Sequence, residues 1–280
     1  MRYIIEAAGI DFAYMDGTKA LKSLSMKIAG NQKYAIVGNN GAGKTTLFLH
    51  FNGVHQARQG ELWYHGEKID YKNSKQLKNL RKNIGVVFQN PDDQLFSASV
   101  YQDVSFGPGN LGWPEPVIRK KIEEVMRQTD TWELRDKATH FLSYGQKKRV
   151  SIAGVLAMEP EIIILDEPTA GLDPVCSGQI MTLLNEVQKK TGATIIFSTH
   201  NIDEAYAWAD YVFVMHDGQI IEQGRPEDVF RKEDVLAKAN LVKPWILEVC
   251  DHLAMSGKKN TQKSLPKTRE ELMAYLADIS

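Results

Sequence analysis

A chain of 280 residues that is 43% hydrophobic has room for one large domain, or one domain with a modest appendage, around a real core. Its 34 Lys and Arg against 35 Asp and Glu leave a net charge of −1, which argues against a general nucleic-acid or anionic-surface binder. Two cysteines, Cys176 and Cys250, exclude a disulfide framework, and no apolar run approaches the ~18 to 20 residues of a membrane helix. The N-terminus alternates like a strand and shows no signal core, so a cytosolic chain is expected.

In chain order, Leu24, Met26 and Ile28 alternate with polar neighbours, which predicts an antiparallel strand with one solvated face. Residues 60–66 read likewise. Short apolar runs at 34–37, 84–88, 162–165, 194–197 and 211–215 are candidate buried strands. The last three are separated by helical segments at 174–190 and 201–208, the pattern of a parallel sheet with crossover helices and hence of an α/β core. Between 114 and 156 the pattern is helical, with Val117, Ile118, Ile122 and Val125 at spacings of one, four and three, and reads as an insert. After Gly224 the sheet signals stop, and residues 256–266 read as a linker. Thr268 and Glu271 then form a capping box before a last helix, with Leu272, Met273, Leu276 and Ile279 on one face. Amphipathicity leaves two readings of that helix open: packing on its own domain, or a contact with another subunit. There is no internal repeat and no low-complexity segment.

Gly38-Asn39-Asn40-Gly41-Ala42-Gly43-Lys44-Thr45 matches G-x-x-x-x-G-K-[ST] between a predicted strand and a helix that starts at Thr46. In that context backbone N–H groups wrap phosphates, Lys44 neutralises their charge and Thr45 ligates Mg²⁺. Residues 162–165 form a buried strand that runs into Asp166 and Glu167. The first of these carboxylates is the expected Mg²⁺ partner, and the second the expected general base for an attacking water. A P-loop enzyme that hydrolyses a nucleotide follows.

Five further segments, Tyr14, Gln89, Leu142-Ser143-Tyr144-Gly145-Gln146, Ala170-Gly171-Leu172-Asp173 and His200, stand in an order that resembles the ATP-binding cassette (ABC) ATPases. The resemblance implies a P-loop ABC ATPase of α/β class, with a mixed sheet core, an antiparallel β subdomain and a helical signature subdomain. It places the ABC domain at 1–240, the helical subdomain at about 90–158, and a short C-terminal helical extension at 241–280 as a candidate dimer contact. It also assigns roles. Tyr14 stacks on adenine, and residues Gly38 to Thr46 (Gly38, Asn39, Asn40, Gly41, Ala42, Gly43, Lys44, Thr45 and Thr46) hold the phosphates. Thr45, Gln89 and Asp166 hold Mg²⁺. Glu167, with Gln89 and His200, serves hydrolysis. Ser143, Gly145 and Gln146 cap the ATP of another protomer, and Asp173 communicates between the two sites. Tyr144 departs from the usual L-S-G-G-Q, so its side chain is expected to point away from the phosphate while Gly145 keeps the close approach.

The stretch from Val87 to Leu95, followed by Phe96 and by Val100 to Pro108, resembles the ATPases of energy-coupling factor importers, in particular the ATP-binding subunit of cobalt importers. That resemblance implies a motor driving transport through a transmembrane coupling subunit and a substrate-binding membrane subunit. The chain would work as a homodimer or paired with a related ATPase, with ATP and Mg²⁺, and without nucleic acid. It would lie on the cytoplasmic face of the cell membrane, peripheral through its partners. Leu95 and Phe96 would lie near the loop that receives a coupling helix. The region from Lys243 onward is similar to an extension that some of these ATPases use for dimer contact. The same motor could serve nickel or a vitamin. A soluble ABC ATPase acting on DNA or ribosomes is the alternative of another class, disfavoured by the single P-loop, the short insert and the near-zero charge. An exporter motor is a third, disfavoured by the loop after Gln89. The seven histidines lie without metal-site spacing, so any transported metal is expected to bind elsewhere.

Overall fold

The computed structural model describes residues 3–256 and 265–278. Its strands are β1 (Tyr3–Ala13), β2 (Lys19–Ala29), β3 (Lys33–Val37), β4 (Gln59–Tyr64), β5 (Glu67–Lys68), β6 (Ile84–Val87), β7 (Ile162–Leu165), β8 (Thr194–Thr199), β9 (Tyr211–His216) and β10 (Gln219–Gly224). Six of them form one sheet in the order β10-β9-β3-β8-β7-β6, parallel except for the β9/β10 hairpin. The remaining four form an antiparallel sheet in the order β2-β1-β4-β5.

Side-chain alternation sorts the central strands into two cores. Ala35, Val37, Ile163, Leu165, Ile195, Phe197, Val212 and Val214 face one core, whereas Tyr34, Ile36, Ile162, Ile164, Ile196, Phe213 and Met215 face the other. This is why these segments read as unbroken apolar runs: a strand covered on both faces has no polar side to show. Helix α1 (Lys44–Phe51) and the antiparallel sheet cover the second face. A polar helix, α2 (Ser74–Asn83), follows and buries only Leu80.

The first face carries the insert and the crossovers. The insert comprises α3 (Val100–Asn110), α4 (Glu115–Gln128) and α5 (Tyr144–Leu156), and the crossovers are α6 (Pro174–Thr191) and α7 (Ile202–Trp208). Short helices α8 (Pro226–Val229) and α9 (Glu233–Lys238) lead to α10 (Trp245–Met255) and α11 (Arg269–Ala277).

Four sequence expectations need correction. Strand β6 ends at Val87, one residue early, because the Phe88 N–H donates to Gln94 Oε1 and its carbonyl accepts from Lys148 Nζ, so neither is free for a ladder. The strand expected over 60–66 stops at Tyr64, where His65 and Gly66 adopt positive φ and turn the chain into β5. Met273 does not join the buried face of α11. It is 63% exposed, while Leu272 and Tyr275 are 5% exposed, as the ~100° step per residue requires. The capping box at α11 is half formed: Thr268 accepts the Glu271 N–H, but the Glu271 carboxylate reaches one residue further back, to the Lys267 N–H.

Helix α11 packs on its own domain. Leu272 joins the core that holds Tyr206 and Phe230, and the Tyr206 hydroxyl donates to the Pro266 carbonyl. Ile279 and residues 257–264 of the expected linker lie outside the described residues. Replacing buried Leu272 by Ala is expected to cost about 2–4 kcal/mol, and Met273→Ala less than about 0.5 kcal/mol. Urea unfolding of the two variants measures the difference.

Candidate functional site

Where β3 ends at Val37, residues 38–43 turn back to start α1. Gly43 has φ +103°, and a Cβ there would stand 2.5 Å from the Ala20 carbonyl oxygen, so only glycine lets the loop lie against β2. Lys44 is buried, and its Nζ donates to the carbonyls of Gly38 (2.6 Å) and Asn39 (3.2 Å). The Thr45 hydroxyl donates to Asp166 Oδ2. At the loop's edge, the Tyr14 hydroxyl lies 2.8 Å from Thr46 Oγ1, and its ring meets Phe12 and His55 edge-on.

Strand β7 delivers Asp166 and Glu167, 3% and 5% exposed, to the same place. Ser198 at the end of β8 holds both: its Oγ–H donates to Asp166 Oδ1 (2.5 Å) and its oxygen accepts the Glu167 N–H (3.0 Å). Glu167 has φ +46°, a conformation that costs a non-glycine residue on the order of 1–3 kcal/mol. Its Oε2 lies 2.8 Å from His200 Nδ1, whereas its buried Oε1 has no hydrogen-bond donor and faces Lys44 Nζ at 3.7 Å. Behind them Glu204 accepts hydrogen bonds from the hydroxyls of Thr169 and Thr199, and burial pushes its carboxyl above the usual range.

Gln89 arrives from the end of β6. Its carbonyl accepts from Lys148 Nζ (2.6 Å) and from the Tyr144 hydroxyl (3.1 Å), both on α5. Lys148 is fully buried, and desolvation lowers its ammonium pKa to about 8. Ser143 and Gln146 form a complete capping box at the start of α5, which leaves that exposed helix end with its N-terminal dipole toward solvent. Asp173 caps α6 by accepting the N–H groups of Val175 and Cys176, and the Cys176 N–H bond is the main cause holding its carboxyl below the usual range.

One cavity of 350 Å³ thus gathers Tyr14, residues 40–46, Gln89, Asp166 and Glu167. Gly38 and Asn39 sit behind it as Lys44 acceptors, and His200 stands at the rim, bonded to Glu167. Ser143, Gly145, Gln146 and Asp173 do not line it. Sequence reasoning missed Ser198, Glu204 and Lys148 as members of the site. Their hydroxyl, carboxylate and ammonium gain meaning only from partners that other strands supply. The chemistry on offer is coherent: an anion cradle at a helix N-terminus, a hydroxyl and a carboxylate suited to a hard divalent cation, and a second carboxylate with one oxygen lacking a hydrogen-bond donor. These groups fit a Mg²⁺-bound polyphosphate.

A second, apolar groove of 780 Å³ opens between α2 and α3 and is lined by Phe96 and Phe106, whose rings pack edge-on at 4.8 Å. Phe96 is 66% exposed, whereas Leu95 is half-buried against the main core and does not line that groove.

The sequence profile of the ABC transporter family matches residues 21–170. Among characterised relatives, the energy-coupling factor transporter ATP-binding protein EcfA3 of Clostridium perfringens is 51% identical over 244 residues, 87% of this chain and 85% of that protein. The corresponding EcfA of Methanocaldococcus jannaschii is 47% identical over 251 residues, 90% of this chain and 89% of that protein. Among solved structures, CbiO1 of Clostridium perfringens, part of the ABC transporter complex CbiONQ, is 49% identical. It superposes with a TM-score of 0.76 over 90% of this chain and 100% of its own. The ATP-binding cassette MJ0796, solved as a dimer with ADP and Pi, has the same fold at 24% identity, with a TM-score of 0.72 over 79% of this chain and 98% of that one.

Histidines 50 and 55 share an aromatic cluster with Phe12 and Tyr14. His50 Nδ1 bonds the Thr46 carbonyl, and burial lowers its pKa from 6.5 to about 4. The folded state therefore favours the neutral ring. That stability is fully present above pH 6.5 and is lost as pH falls toward 4, because the unfolded chain binds the proton first. His50→Phe should flatten this part of the stability profile, as urea midpoints measured between pH 4.5 and 7 will show.

Proposed function

This chain belongs to the energy-coupling factor ATP-binding proteins of the ABC transporter family, and we propose that it is the motor of a cobalt importer. As an ABC ATPase it converts ATP and water to ADP and phosphate. The observation that carries the motor reading is the meeting of Lys44, Thr45, Asp166 and Glu167 around one cavity, with His200 bonded to Glu167 and the other Glu167 oxygen lacking a hydrogen-bond donor. The cobalt reading rests on the likeness to CbiO1 and on the resemblance of the loop after Gln89.

In this reading Tyr14 presents its ring to the adenine, and residues 38–46 wrap the phosphates with backbone N–H groups. Lys44 exchanges the carbonyls of Gly38 and Asn39 for phosphate oxygens. Thr45, Asp166 and Gln89 are the groups that would hold Mg²⁺, which when bound offsets the charge on the β- and γ-phosphate oxygens. Glu167 Oε1 accepts a proton from the attacking water, and His200, with Nδ1 protonated, holds Oε2 and so fixes the direction of the carboxylate. The strain at Glu167 fixes its aim before substrate arrives.

Two copies, or one copy and a related ATPase, complete the site. Ser143, Gly145 and Gln146 lie outside the chain's own cavity, and the α5 terminus favours an anion, so the reading assigns them to the partner's γ-phosphate. Asp173 sits beside them at the start of α6 and is placed between the two sites. Residues 1–240 form the ABC domain, with 90–158 as its helical part, and 241–280 the extension. Trp245, through its N–H, ties the extension to Asp203, three residues after His200. No described helix is long and apolar enough to cross a membrane. From the likeness to transporter ATP-binding proteins, the proposed location is the cytoplasmic face, held by a transmembrane coupling subunit beside a substrate-binding membrane subunit.

Glu167→Gln is expected to keep ATP binding and lower kcat at least about 100-fold, trapping a closed ATP-bound dimer. Size-exclusion chromatography with Mg-ATP reads the dimer and phosphate release reads kcat. Turnover at the wild-type rate would remove Glu167 as base.

The Phe96 and Phe106 groove is the proposed seat of a coupling helix from the membrane subunit. Phe96→Asp with Phe106→Asp should leave soluble ATP binding intact while the chain no longer copurifies with its membrane subunits. Uptake of labelled cobalt by a deletion strain tests the cargo. Unchanged uptake would keep the motor and discard cobalt in favour of nickel or a vitamin.

A further inference from the structure

The first turns of α5 are fastened to the loop after β6 at several points. Lys148 Nζ donates to the carbonyls of Phe88 (3.0 Å) and Gln89 (2.6 Å), and the Tyr144 hydroxyl donates to the same Gln89 carbonyl (3.1 Å). Lys147 pairs with Asp92 at 2.6 Å, and Gln94 Nε2 donates to the Ser151 carbonyl. A lysine with no exposed surface is costly unless its donors are satisfied, and here both satisfied donors end on the backbone that carries Gln89.

Tyr144 extends this hold to a third segment. Its ring lies over Gly171, which has φ +76° and where a Cβ would stand 3.3 Å from Tyr144 Cε1. The next residue, Leu172, lies 3.6 Å from the Cβ position of Gly145. A glycine at position 144 would provide neither the hydroxyl bond nor the contact with Gly171.

We infer that Tyr144 and Lys148 are positioning residues: together they fix the Gln89 backbone relative to the start of α5, and Tyr144 also joins it to the loop at 170–173. The inference rests on the motor reading above, in which α5 reaches a partner's nucleotide and Gln89 reaches the chain's own. A displacement of the α5 terminus is then passed through two bonds to the Gln89 carbonyl, and from there to the side chain that lines the cavity. The hold acts on the placement of Gln89 during turnover and not on the affinity of the P-loop.

The test uses the full chain with Mg-ATP. Tyr144→Phe keeps the ring on Gly171 and removes only the hydroxyl. It should lower kcat about three- to ten-fold, the scale of one hydrogen bond, with KM for ATP unchanged within about two-fold. Hydrogen–deuterium exchange of peptides spanning 88–96 should accelerate, while the thermal midpoint stays at the wild-type value. Lys148→Met should act in the same direction and more strongly. Wild-type kcat and wild-type exchange in Tyr144→Phe would overturn the inference, as would a raised KM at unchanged kcat. A wild-type chain that does not turn over Mg-ATP would sink the motor reading separately, and the exchange rates would still decide whether Tyr144 holds Gln89.

Discussion

The parallel register of β3, β8 and β7 is the constraint on which the rest depends. Val37 pairs with Thr199, and Leu165 with Phe197, so the three strands end at one edge of the sheet. Strand β6 aligns Val87 with Leu165 and brings Gln89 to the same edge. Thr45 and Asp166 can therefore bond although 121 residues separate them. A slip of one residue in any pairing would send these side chains to the opposite face and exchange the contents of the two cores. The apolar alternation that stabilises the sheet is thus also what aims the chemistry.

At that edge the structure accepts local costs. Lys44, Asp166 and Glu167 are buried charges, each carrying a desolvation penalty of several kcal/mol. Carbonyl acceptors, Ser198 and His200 offset much of it, but one Glu167 oxygen lacks a hydrogen-bond donor and the Glu167 backbone is strained. Conflicts of this kind persist where the surrounding fold over-determines the geometry. Here β7, β8 and the P-loop supply that rigidity from three directions.

Capping ties local helix physics to the site. Ser143 and Gln146 close the start of α5, and Asp173 closes the start of α6, each satisfying N–H groups that a helix end leaves free. The family resemblance singles out Ser143 and Gln146 for contact with a partner's nucleotide, and Asp173 for communication between the two sites. The two descriptions agree physically, because a well-formed helix terminus directs its dipole at whatever lies beyond it. Tyr144 adds a tie that a glycine could not, and with Lys148 it makes α5 and the loop carrying Gln89 move as one piece.

Contiguous signals were legible in the amino-acid order. The phosphate loop, the strand running into Asp166 and Glu167 and the crossover helices are each written in a window shorter than twenty residues, where periodicity and turn chemistry act locally. Helices α2 and α3 escaped, the first because it is polar almost all round, the second because Gly107, Pro108 and Gly109 interrupt its pattern. Phe88 was misplaced by one residue and Met273 by one face, errors that only neighbours can correct. The sequence by itself determined a P-loop ABC ATPase and most of the residues that line its cavity. Tertiary structure alone decided that Ser198 holds the Asp166 carboxylate and the Glu167 backbone N–H, that Lys148 and Tyr144 hold Gln89, and that α11 packs on its own domain. Those contacts join segments tens of residues apart, and a hydrogen bond between distant strands leaves no trace in either strand's local pattern.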